Sequence, residues 1–543
     1  MATDIKLNSE KNEVTEDIFS GLKQIAEPVL TTMGPGGKNV LLEQQAGQPL
    51  VTKDGVTVAN SIALKEPSQN LAAKILKEAA DKTNREAGDG TTTSTAIGYN
   101  LYKLGMHSSK TTKISDLRMQ IHKGKEKVLK KLEEYKKEVS GTEEEKLQTL
   151  EHIANISLNN DPEIAKMIAE ATIKVGTDGV ISVQDGVKNE LERTEGMKFN
   201  TGYLSPHFID NVRERTATLE DCKVLITSHQ LKTVDQIREM EQLLNRLAEQ
   251  KKPVLLISNG CSDMFLTNFI SFNRNNTIKN CPIRPPYWGI VRKEFFADLA
   301  TLTGATVIEA DEGMELKDVT LEHLGGADKI VVGDKETTII GGKGNPDSIK
   351  ERTETLRSIL EEIKEEDKSD PDKIQERLAK LSGGVINLKL VRDSQVESDE
   401  RRDRVEDAVN SCRAALKDGY LPGGGAALFY AGLCLDEKIE GERILKKVTE
   451  SPIDIMARNA NGLEGIIVRA SLYNEYHEGR TLTSYDFLRD KLVDAYKAGI
   501  IDPYKVTTCA FKNGVSVATL LLTTDSIVTL IPEDAPQMPF QMM

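Results

Sequence analysis

The sequence GDGTTTST (residues 88–95) separates two segments whose apolar residues recur at helical spacing, NLAAKILKEAADKTNREA (70–87) and AIGYNLYKLG (96–105). Capping is the simplest explanation: Gly88 would end the first helix in a left-handed conformation, and a threonine would cap the second. That explanation leaves Asp89 and two further threonines without a role. An anion site would use all of them, because a helix N-terminus offers unpaired N–H groups and hydroxyls add donors. The stretch alone leaves both explanations open.

If the stretch is an anion site, the presence of Asp89 implies that it also holds a cation. A carboxylate among phosphate ligands repels them unless it also holds a positive charge, and Mg²⁺ is the simplest ion to bridge carboxylate and phosphate oxygens. As the alternative to capping, the eight residues therefore predict a nucleotide that is bound together with Mg²⁺.

The composition limits the class of protein. The chain has 543 residues, enough for about three domains, and its net charge of −14 argues against nucleic acid as a partner. The N-terminal residues show no signal peptide, and no apolar run approaches the roughly 18 residues that span a bilayer. Six scattered cysteines without a C-x-x-C pair are typical of reduced thiols. We therefore expect a soluble cytoplasmic protein without a membrane partner.

Three other glycine-containing segments each have a local explanation. In TTMGPGGKNVLLE (31–43) the glycines suit an ordinary turn from helix to strand, and their spacing is not that of a P-loop. QPLVTKDGVTVAN (48–60) predicts two short strands joined by a hairpin at Asp54-Gly55. In RVEDAVNSCRAALKDGYLPGGGAALFYAG (404–432) a helix that carries Asp407 ends at Gly419, and three glycines begin the next helix. Those glycines suit either a flexible joint or a surface for a flat ligand.

The middle of the chain has the pattern of an α/β domain. Between about residues 195 and 345, helical segments alternate with the strand-like runs CKVLITS, KPVLLIS, ATVIEA, KIVVG and TTIIGG. Before this region, and after about residue 415, amphipathic helices predominate. Residues 350–381 predict two charged helices joined at Ser369-Asp370-Pro371.

Eight motifs, in this order, resemble those of the group I chaperonins of the GroEL type: TTMGPGGKNV, TKDGVTVA, AGDGTTTST, EGMKFNTGYLSPHF, DLATLTGATVI, RVEDAV, PGGGAAL and AGIIDPYKVT. The resemblance is weakest between residues 205 and 300. It implies the multidomain chaperonin fold. In that fold a mostly α-helical equatorial ATP-binding domain and a small α/β intermediate hinge domain carry an inserted α/β apical client-binding domain. The corresponding ranges are 1–135 with 417–543, 136–194 with 386–416, and 195–385.

The resemblance also implies the residues of an ATP site. Asp89 would bind Mg²⁺, and Asp54 and Asp407 match the catalytic carboxylates that orient and polarise the attacking water. The other positions that match nucleotide contacts are Thr32, Met33, Gly34, Pro35, Lys53, Gly90, Thr91, Thr92, Thr93, Gly424 and Asp502, with Asp486, Phe487 and Leu488 on the base side. At the base side the family usually has Asn and small residues. ATP and Mg²⁺ are the implied cofactors, and K⁺ is compatible with the site.

The implied function is an ATP-driven folding chamber, in which seven-membered rings bind non-native client proteins and a co-chaperonin lid is a further partner. Its client surface would consist of exposed apolar side chains of the apical domain: Tyr203, Phe208, Leu244, Leu266 and Ile270. Burial in a core is the ordinary expectation for any one of these side chains. The alternative function is an ATP-hydrolysing holdase or scaffold without lid-dependent encapsulation. A metabolic phosphotransferase would need a second substrate pocket, of which the sequence shows no sign.

Apart from the base side, the departures from the family pattern cluster away from the ATP site. Glu241 and Ser271 occupy positions where the family has apolar client contacts, and YWGIVRK (287–293) replaces a segment rich in glycine and charge. Thr201 and Gln395 replace an Arg–Glu pair that joins neighbouring subunits of a ring. We therefore expect weaker positive cooperativity in ATP.

A second Arg–Glu pair, which holds two stacked rings together in the family, is also replaced. Asp454 and Leu463 stand at its positions, and Glu464 offers a polar contact in a different register. An unpaired, buried Asp454 would add a cost to stacking. We therefore expect rings that stand singly or pair weakly.

Overall fold

The protein is described by a computed structural model. The residues that it describes are 3–7, 13–43, 49–109, 111–158, 161–177, 180–194, 196–211, 215–276, 278–363, 374, 377–378, 380–381, 385–391, 395–462 and 464–530.

These residues form seventeen α-helices and eighteen strands. The helices are α1 Glu13–Leu30, α2 Gly55–Ser61, α3 Pro67–Ala87, α4 Thr91–Ser108, α5 Ile114–Tyr135, α6 Glu143–Ser157, α7 Pro162–Val175, α8 Val234–Glu249, α9 Asp263–Asn276, α10 Gly289–Thr303, α11 Pro346–Ile363, α12 Gln395–Asp418, α13 Ala426–Gly432, α14 Glu440–Asn461, α15 Gly465–His477, α16 Ala495–Ala498 and α17 Tyr504–Leu522. The strands are β1 Thr3–Leu7, β2 Val40–Leu42, β3 Leu50–Thr52, β4 Val180–Gly186, β5 Glu190–Thr194, β6 Gly196–Phe199, β7 Ala217–Thr227, β8 Val254–Ile257, β9 Cys281–Ile283, β10 Val307–Ile308, β11 Gly325–Val332, β12 Thr337–Gly342, β13 Val385–Val391, β14 Tyr420–Pro422, β15 Thr483–Asp486, β16 Lys491–Asp494, β17 Ile501–Pro503 and β18 Ser526–Leu530.

The chain divides into two compact units. Unit 1 contains Met1–Ile173 and Val391–Met543, and unit 2 contains Lys174–Leu390. Unit 1 is therefore built from both ends of the chain, and the antiparallel pairing of β1 with β18 joins the two segments. The boundaries of the three domains that the motifs imply stay a prediction.

Unit 1 is mainly helical, as the periodicity predicts. On α1 the apolar residues at helical spacing are all buried, and they belong to one core with residues of α3, α4, α14 and α17. Four small two-stranded sheets join the helices: β1–β18, β2–β3, β14–β17 and β15–β16. The core thus consists of packed helices, and the strands serve as local connections between them.

Unit 2 is an α/β unit built on a seven-stranded sheet. The strand order is β6-β12-β11-β7-β8-β9, with β10 also paired to β7. The pairs β7–β8, β8–β9 and β7–β10 are parallel, and α8, α9 and α10 connect these strands in sequence. All five strand-like runs of the middle region are confirmed as parts of β7, β8, β10, β11 and β12. A separate three-stranded sheet has the order β4-β13-β5.

Two local expectations have different outcomes. The hairpin at Asp54-Gly55 is wrong, because the segment after Asp54 is the helix α2 and not a strand. The first charged helix of 350–381 is confirmed as part of α11, whereas the junction at 369–371 lies outside the described residues. None of the helices in the described ranges is long and apolar enough to cross a bilayer.

Candidate active site

The turn between α3 and α4 shows how GDGTTTST folds. Gly88 ends α3 in the left-handed region (φ 73°), and its N–H donates to the Asn84 carbonyl at 2.7 Å, as the capping explanation requires. The second half of that explanation is wrong. Gly90 (φ 86°), not a threonine, is the N-cap of α4, and Thr91 is the first helical residue. No side chain therefore caps the first amides of α4.

The hydroxyls of the threonine run divide into two groups. Ser94 and Thr95 donate to the Thr91 carbonyl at 2.9 and 3.0 Å, so their hydroxyls are engaged within the helix. Within the part of the chain that the structure describes, the hydroxyls of Thr91, Thr92 and Thr93 make no hydrogen bond. The start of α4 thus offers amide and hydroxyl donors together, which is the chemistry of an anion site.

A second helix begins against this one. Asp54 caps α2 by accepting from the Val56 and Thr57 amides at 3.2 and 2.8 Å. Gly55, the first residue of α2, lies so near α4 that a Cβ atom there would be 2.3 Å from Thr92 Oγ1. Two helix N-termini therefore meet at one place, and Asp54 stands beside the threonine run.

Asp89 is held in a fixed orientation between them. One of its carboxylate oxygens accepts from the Gly90 amide, and the other accepts from the Ser411 hydroxyl at 2.9 Å. Ser411 lies on α12 one turn after Asp407, so this bond joins the Asp89 loop to the helix of the predicted catalytic aspartate. Ser411 was not among the residues predicted from the sequence.

Four acids of the site act on one another electrostatically. Burial raises the pKa of Asp407 well above its usual value, and the charges of Asp89 and Asp54 raise it further. Burial also raises the pKa of Asp89, against the hydrogen bonds from Gly90 and Ser411. The pKa of Asp502 is raised to about 7 by burial, with the charge of Asp89 as a second cause. These interactions link Asp54, Asp89, Asp407 and Asp502 into one cluster of acidic side chains.

This cluster fits a metal that is bound jointly with phosphate. Within the described residues no group of three or more His, Cys, Asp and Glu side chains could hold a metal ion alone. Mg²⁺ usually takes only one or two carboxylates and fills its other positions with phosphate oxygens and water. Asp89, fixed at the N-terminal end of α4, is suited to such a role, and a cation there would offset the repulsion among the acids.

The glycine turn after β14 lies beside Asp502. Gly424 and Gly425 have left-handed φ angles of 63° and 77°, and a Cβ on Gly424 would approach Ser484 Oγ to 3.0 Å. Pairing of β14 with β17 places Asp502 opposite Leu421, three residues before Gly424. The Gly424 backbone also lies within hydrogen-bonding reach of the Asp502 carboxylate.

The turn of Thr32, Met33, Gly34 and Pro35 follows the end of α1. The Thr32 hydroxyl donates to the Val29 carbonyl at 2.8 Å, and Met33 is buried. Gly34 (φ 79°) packs on Met456, which also contacts Gly425. Met456 of α14 thus lies between the two glycine turns. No pattern in the sequence predicts this placement.

The base-side residues only partly match their expected role. The Asp486 carboxylate accepts from the Leu488 and Arg489 amides at 3.0 Å each, so it caps its own turn. Phe487 is buried in the core, and only Leu488 is exposed. Lys53, which matches a nucleotide contact away from the base, is half-buried and makes no ion pair within the described ranges of the chain. The side chains of Asp486 and Phe487 are thus committed to the local fold.

The side-chain exposure of two of the five predicted client residues contradicts a client-binding role. Phe208 and Leu244 are 7% and 5% exposed and belong to the core of unit 2, so they form no open apolar surface. Leu244 lies on the core-facing stripe of α8, and Phe208 packs edge-on against Phe269. Tyr203, Leu266 and Ile270 are half-buried at the margin of that core. Both polar replacements, Glu241 and Ser271, are exposed.

Asp454 forms an ion pair, whereas the expectation was an unpaired acid. Arg469 Nε donates to Asp454 Oδ1 at 2.8 Å, and the same guanidinium pairs with Glu450. Leu463 and the side chain of Gln395 lie outside the described residues. The acid at position 454 is therefore paired within its own chain, although burial still raises its pKa.

Comparisons with known proteins agree with this architecture. The chain resembles the chaperonin gp146 from the bacteriophage EL 2 (Pseudomonas aeruginosa), crystallised in the presence of ATP-BeFx. For crystal form II the TM-score is 0.67 and the identity is 21%, over 97% of this chain and 99% of that chain. Crystal form I gives a TM-score of 0.60 at the same identity and coverage. At this identity the likeness shows the chaperonin fold. The model of the TCP-1/cpn60 chaperonin family matches residues 25–532, and the chain belongs to that family.

Proposed function

We propose that the protein is an ATP-dependent chaperonin, a magnesium-dependent ATPase that binds non-native polypeptides and promotes their folding. The observation that carries this proposal is the meeting of two helix N-termini, free threonine hydroxyls and four acids at one place in unit 1. Donors for phosphate and acids for a metal and for water are the parts that phosphoryl transfer requires.

Each group of the site has a distinct role in this proposal. Asp89 holds Mg²⁺, while the α4 amides with Thr91, Thr92 and Thr93 bind the phosphates. Asp54 and Asp407 orient and polarise the attacking water. The raised pKa of Asp407 supports this role, since a carboxylate whose pKa is raised by burial is a more effective base.

The remainder of the nucleotide would lie towards the glycine turns. The Gly424 backbone would contact the nucleotide, and Asp502 would accept from the ribose hydroxyls. The crystals of gp146 contain ATP-BeFx, and we extend nucleotide binding from that protein to this chain. With Asp486 and Phe487 committed to the local fold, backbone atoms and Leu488 are left to contact the base.

Assembly into rings is supported by two short sheets in unit 1. The sheets β1–β18 and β2–β3 have only two strands each, and such isolated pairs are marginally stable in water. They expose apolar side chains, with Leu41, Val528 and Leu530 exposed by 70%, 54% and 61%. Pairing with another copy of the chain would bury these residues and satisfy the open strand edges. We propose a heptameric ring on this basis together with the family membership.

The client surface would lie on unit 2. Tyr203, Leu266 and Ile270 keep partial exposure, and Leu266 and Ile270 are one turn apart on α9. Trp288 and Met264 add exposed apolar surface, at 87% and 42% exposure. These residues replace Phe208 and Leu244 as the proposed contacts for non-native chains.

Refolding of an aggregation-prone client tests the proposal. The purified protein should suppress aggregation of the client and, with Mg-ATP, return it to its active form. A variant with Leu266→Ser and Ile270→Ser should keep its ATP hydrolysis and lose suppression. Met119→Ser, at a 51% exposed position of unit 1 outside the proposed surfaces, is the control for removing an exposed apolar residue and should keep both. Failure of the wild-type protein to suppress aggregation would contradict the proposal.

The same assay separates a folding chamber from a holdase. A holdase would suppress aggregation without raising the refolded yield, whether or not ATP and a co-chaperonin lid are added. A folding chamber would raise the yield only with ATP.

A further inference from the structure

Ser411 is a buried residue that connects two parts of the candidate site. It is 1% exposed, and its hydroxyl donates to Asp89 Oδ2 at 2.9 Å. The two residues are 322 positions apart in the sequence. Asn410, its neighbour, packs against Gly88, so α12 contacts the Asp89 loop at two consecutive residues.

The bond determines how the Asp89 carboxylate is oriented. The Gly90 amide fixes one oxygen and the Ser411 hydroxyl fixes the other. A carboxylate held at both oxygens cannot rotate freely, although each oxygen keeps a lone pair for a further ligand. The direction of those lone pairs is therefore set in part by the position of α12.

Asp407 is placed by the same helix. It lies four residues before Ser411, which is about one helical turn and the same face. Val405, Ala408 and Cys412 are buried on the adjoining face, so the helix is held by its core contacts. Any shift of α12 that withdraws Asp407 must also stretch or break the bond from Ser411 to Asp89.

We propose that Ser411 is a positioning residue that orients Asp89 for Mg²⁺ and links this orientation to the presence of Asp407. This inference rests on the proposed ATP site. In this role Ser411 does not contact the substrate. The bond makes the metal ligand ready only when the helix of the catalytic aspartate is in place, which couples two requirements of hydrolysis.

A magnesium titration of nucleotide binding tests the proposal without measuring turnover. Binding of a non-hydrolysable ATP analogue is followed by calorimetry at increasing Mg²⁺. Ser411→Ala should need about ten- to a hundredfold more Mg²⁺ for half-maximal effect, the range typical of removing a side chain that orients a metal ligand. Binding measured with a chelator present should not change. Ser411→Thr keeps the hydroxyl and should restore most of the wild-type requirement.

Ser68→Ala is the matched control. Ser68 is also 1% exposed and also donates to a carboxylate, that of Asp17 at 2.7 Å, but it lies outside the site. A Mg²⁺ requirement in Ser411→Ala within twofold of wild type, or an equal shift in Ser68→Ala, would overturn the role of Ser411. If wild type itself bound the analogue without any effect of Mg²⁺, both this inference and the proposed function would fail.

Discussion

Asp502 lies among acidic side chains, and its raised pKa makes the stability of the protein depend on pH. Its pKa is about 7 in the folded chain and 3.8 in the unfolded reference, because burial and the charge of Asp89 disfavour the carboxylate. Between these values the folded protein binds more protons than the unfolded chain does. This contribution to stability is therefore largest below about pH 4 and is lost as the pH rises towards 7.

Asp502→Asn should remove that pH dependence. The variant should melt at a higher temperature than wild type at pH 8, by on the order of a few degrees, and the difference should be clearly smaller at pH 5, because it vanishes only below about pH 4. Thermal unfolding of both proteins without nucleotide, between pH 5 and 8, measures it. Asp525→Asn, at an exposed position, controls for loss of one charge. A difference that is equal at every pH would contradict the assignment.

Single residues also show which parts of the candidate site the sequence alone does not predict. Asp89 could be singled out from the sequence because its neighbours along the chain already have the pattern expected of an anion site. Ser411 and Met456 could not, since each acts on residues hundreds of positions away and neither belongs to a local motif. For Leu244, burial was the ordinary expectation and client contact was what the resemblance implied. The sequence could not decide between them, because an amphipathic helix shows which residues share a face but not which neighbour covers it.

At the scale of elements, α2 shows why the predicted hairpin failed. VTVAN is rich in β-branched residues and favours a strand, and Asp-Gly is a common hairpin turn. In the fold Asp54 instead accepts from two amides of the following turn and begins a helix. Packing of Gly55 against α4 selects this outcome, and no window of local sequence contains that contact.

Gly55→Ala tests the contact between the two helix starts. Alanine favours helix by about 1 kcal/mol over glycine, but its methyl group would lie 2.3 Å from Thr92 Oγ1. We expect a net destabilisation of about 1–3 kcal/mol, typical of overpacking, measured by denaturant unfolding. In a Thr92→Ala background the clash disappears and the substitution should become neutral or stabilising. An equal effect in both backgrounds would show that the two helices do not meet in this way.

For the whole molecule, the fold class was predictable from the sequence and the surfaces were not. Alternating runs identified the α/β unit, and helical periodicity identified unit 1, because both patterns are local. Interfaces with other copies depend on pairs of residues that meet only in an assembly, so the two predictions on ring behaviour rest on replacements at Thr201, Gln395, Asp454 and Leu463.

Cooperativity in ATP should be weak. Thr201 and Gln395 cannot form an ion pair and retain at most a neutral hydrogen bond of about 1 kcal/mol. ATP turnover as a function of ATP concentration should give a Hill coefficient near 1. The double substitution Thr201→Arg with Gln395→Glu should raise it, and neither single substitution should. A strongly sigmoidal wild-type curve would contradict the prediction.

Rings should stand singly or separate readily. The Asp454 carboxylate is paired with Arg469 of its own chain, so it contributes little to an ion pair with a second ring. One exposed ion pair is worth only about 0–1 kcal/mol, but every subunit of the ring repeats the loss. Native mass spectrometry with and without ATP measures the stacking. Double rings that persist under both conditions would refute this.

ATP binding compared with phosphate release, in wild type and Asp407→Ala, tests the proposed ATPase most directly. Wild type should release phosphate only with Mg²⁺. Asp407→Ala should bind Mg-ATP within a few-fold of wild type and turn it over at least about 100-fold more slowly, as expected for loss of a catalytic carboxylate. Asp89→Ala should lose magnesium-dependent binding as well. Unchanged turnover in Asp407→Ala, or a wild-type protein that binds Mg-ATP without releasing phosphate, would contradict the proposed site.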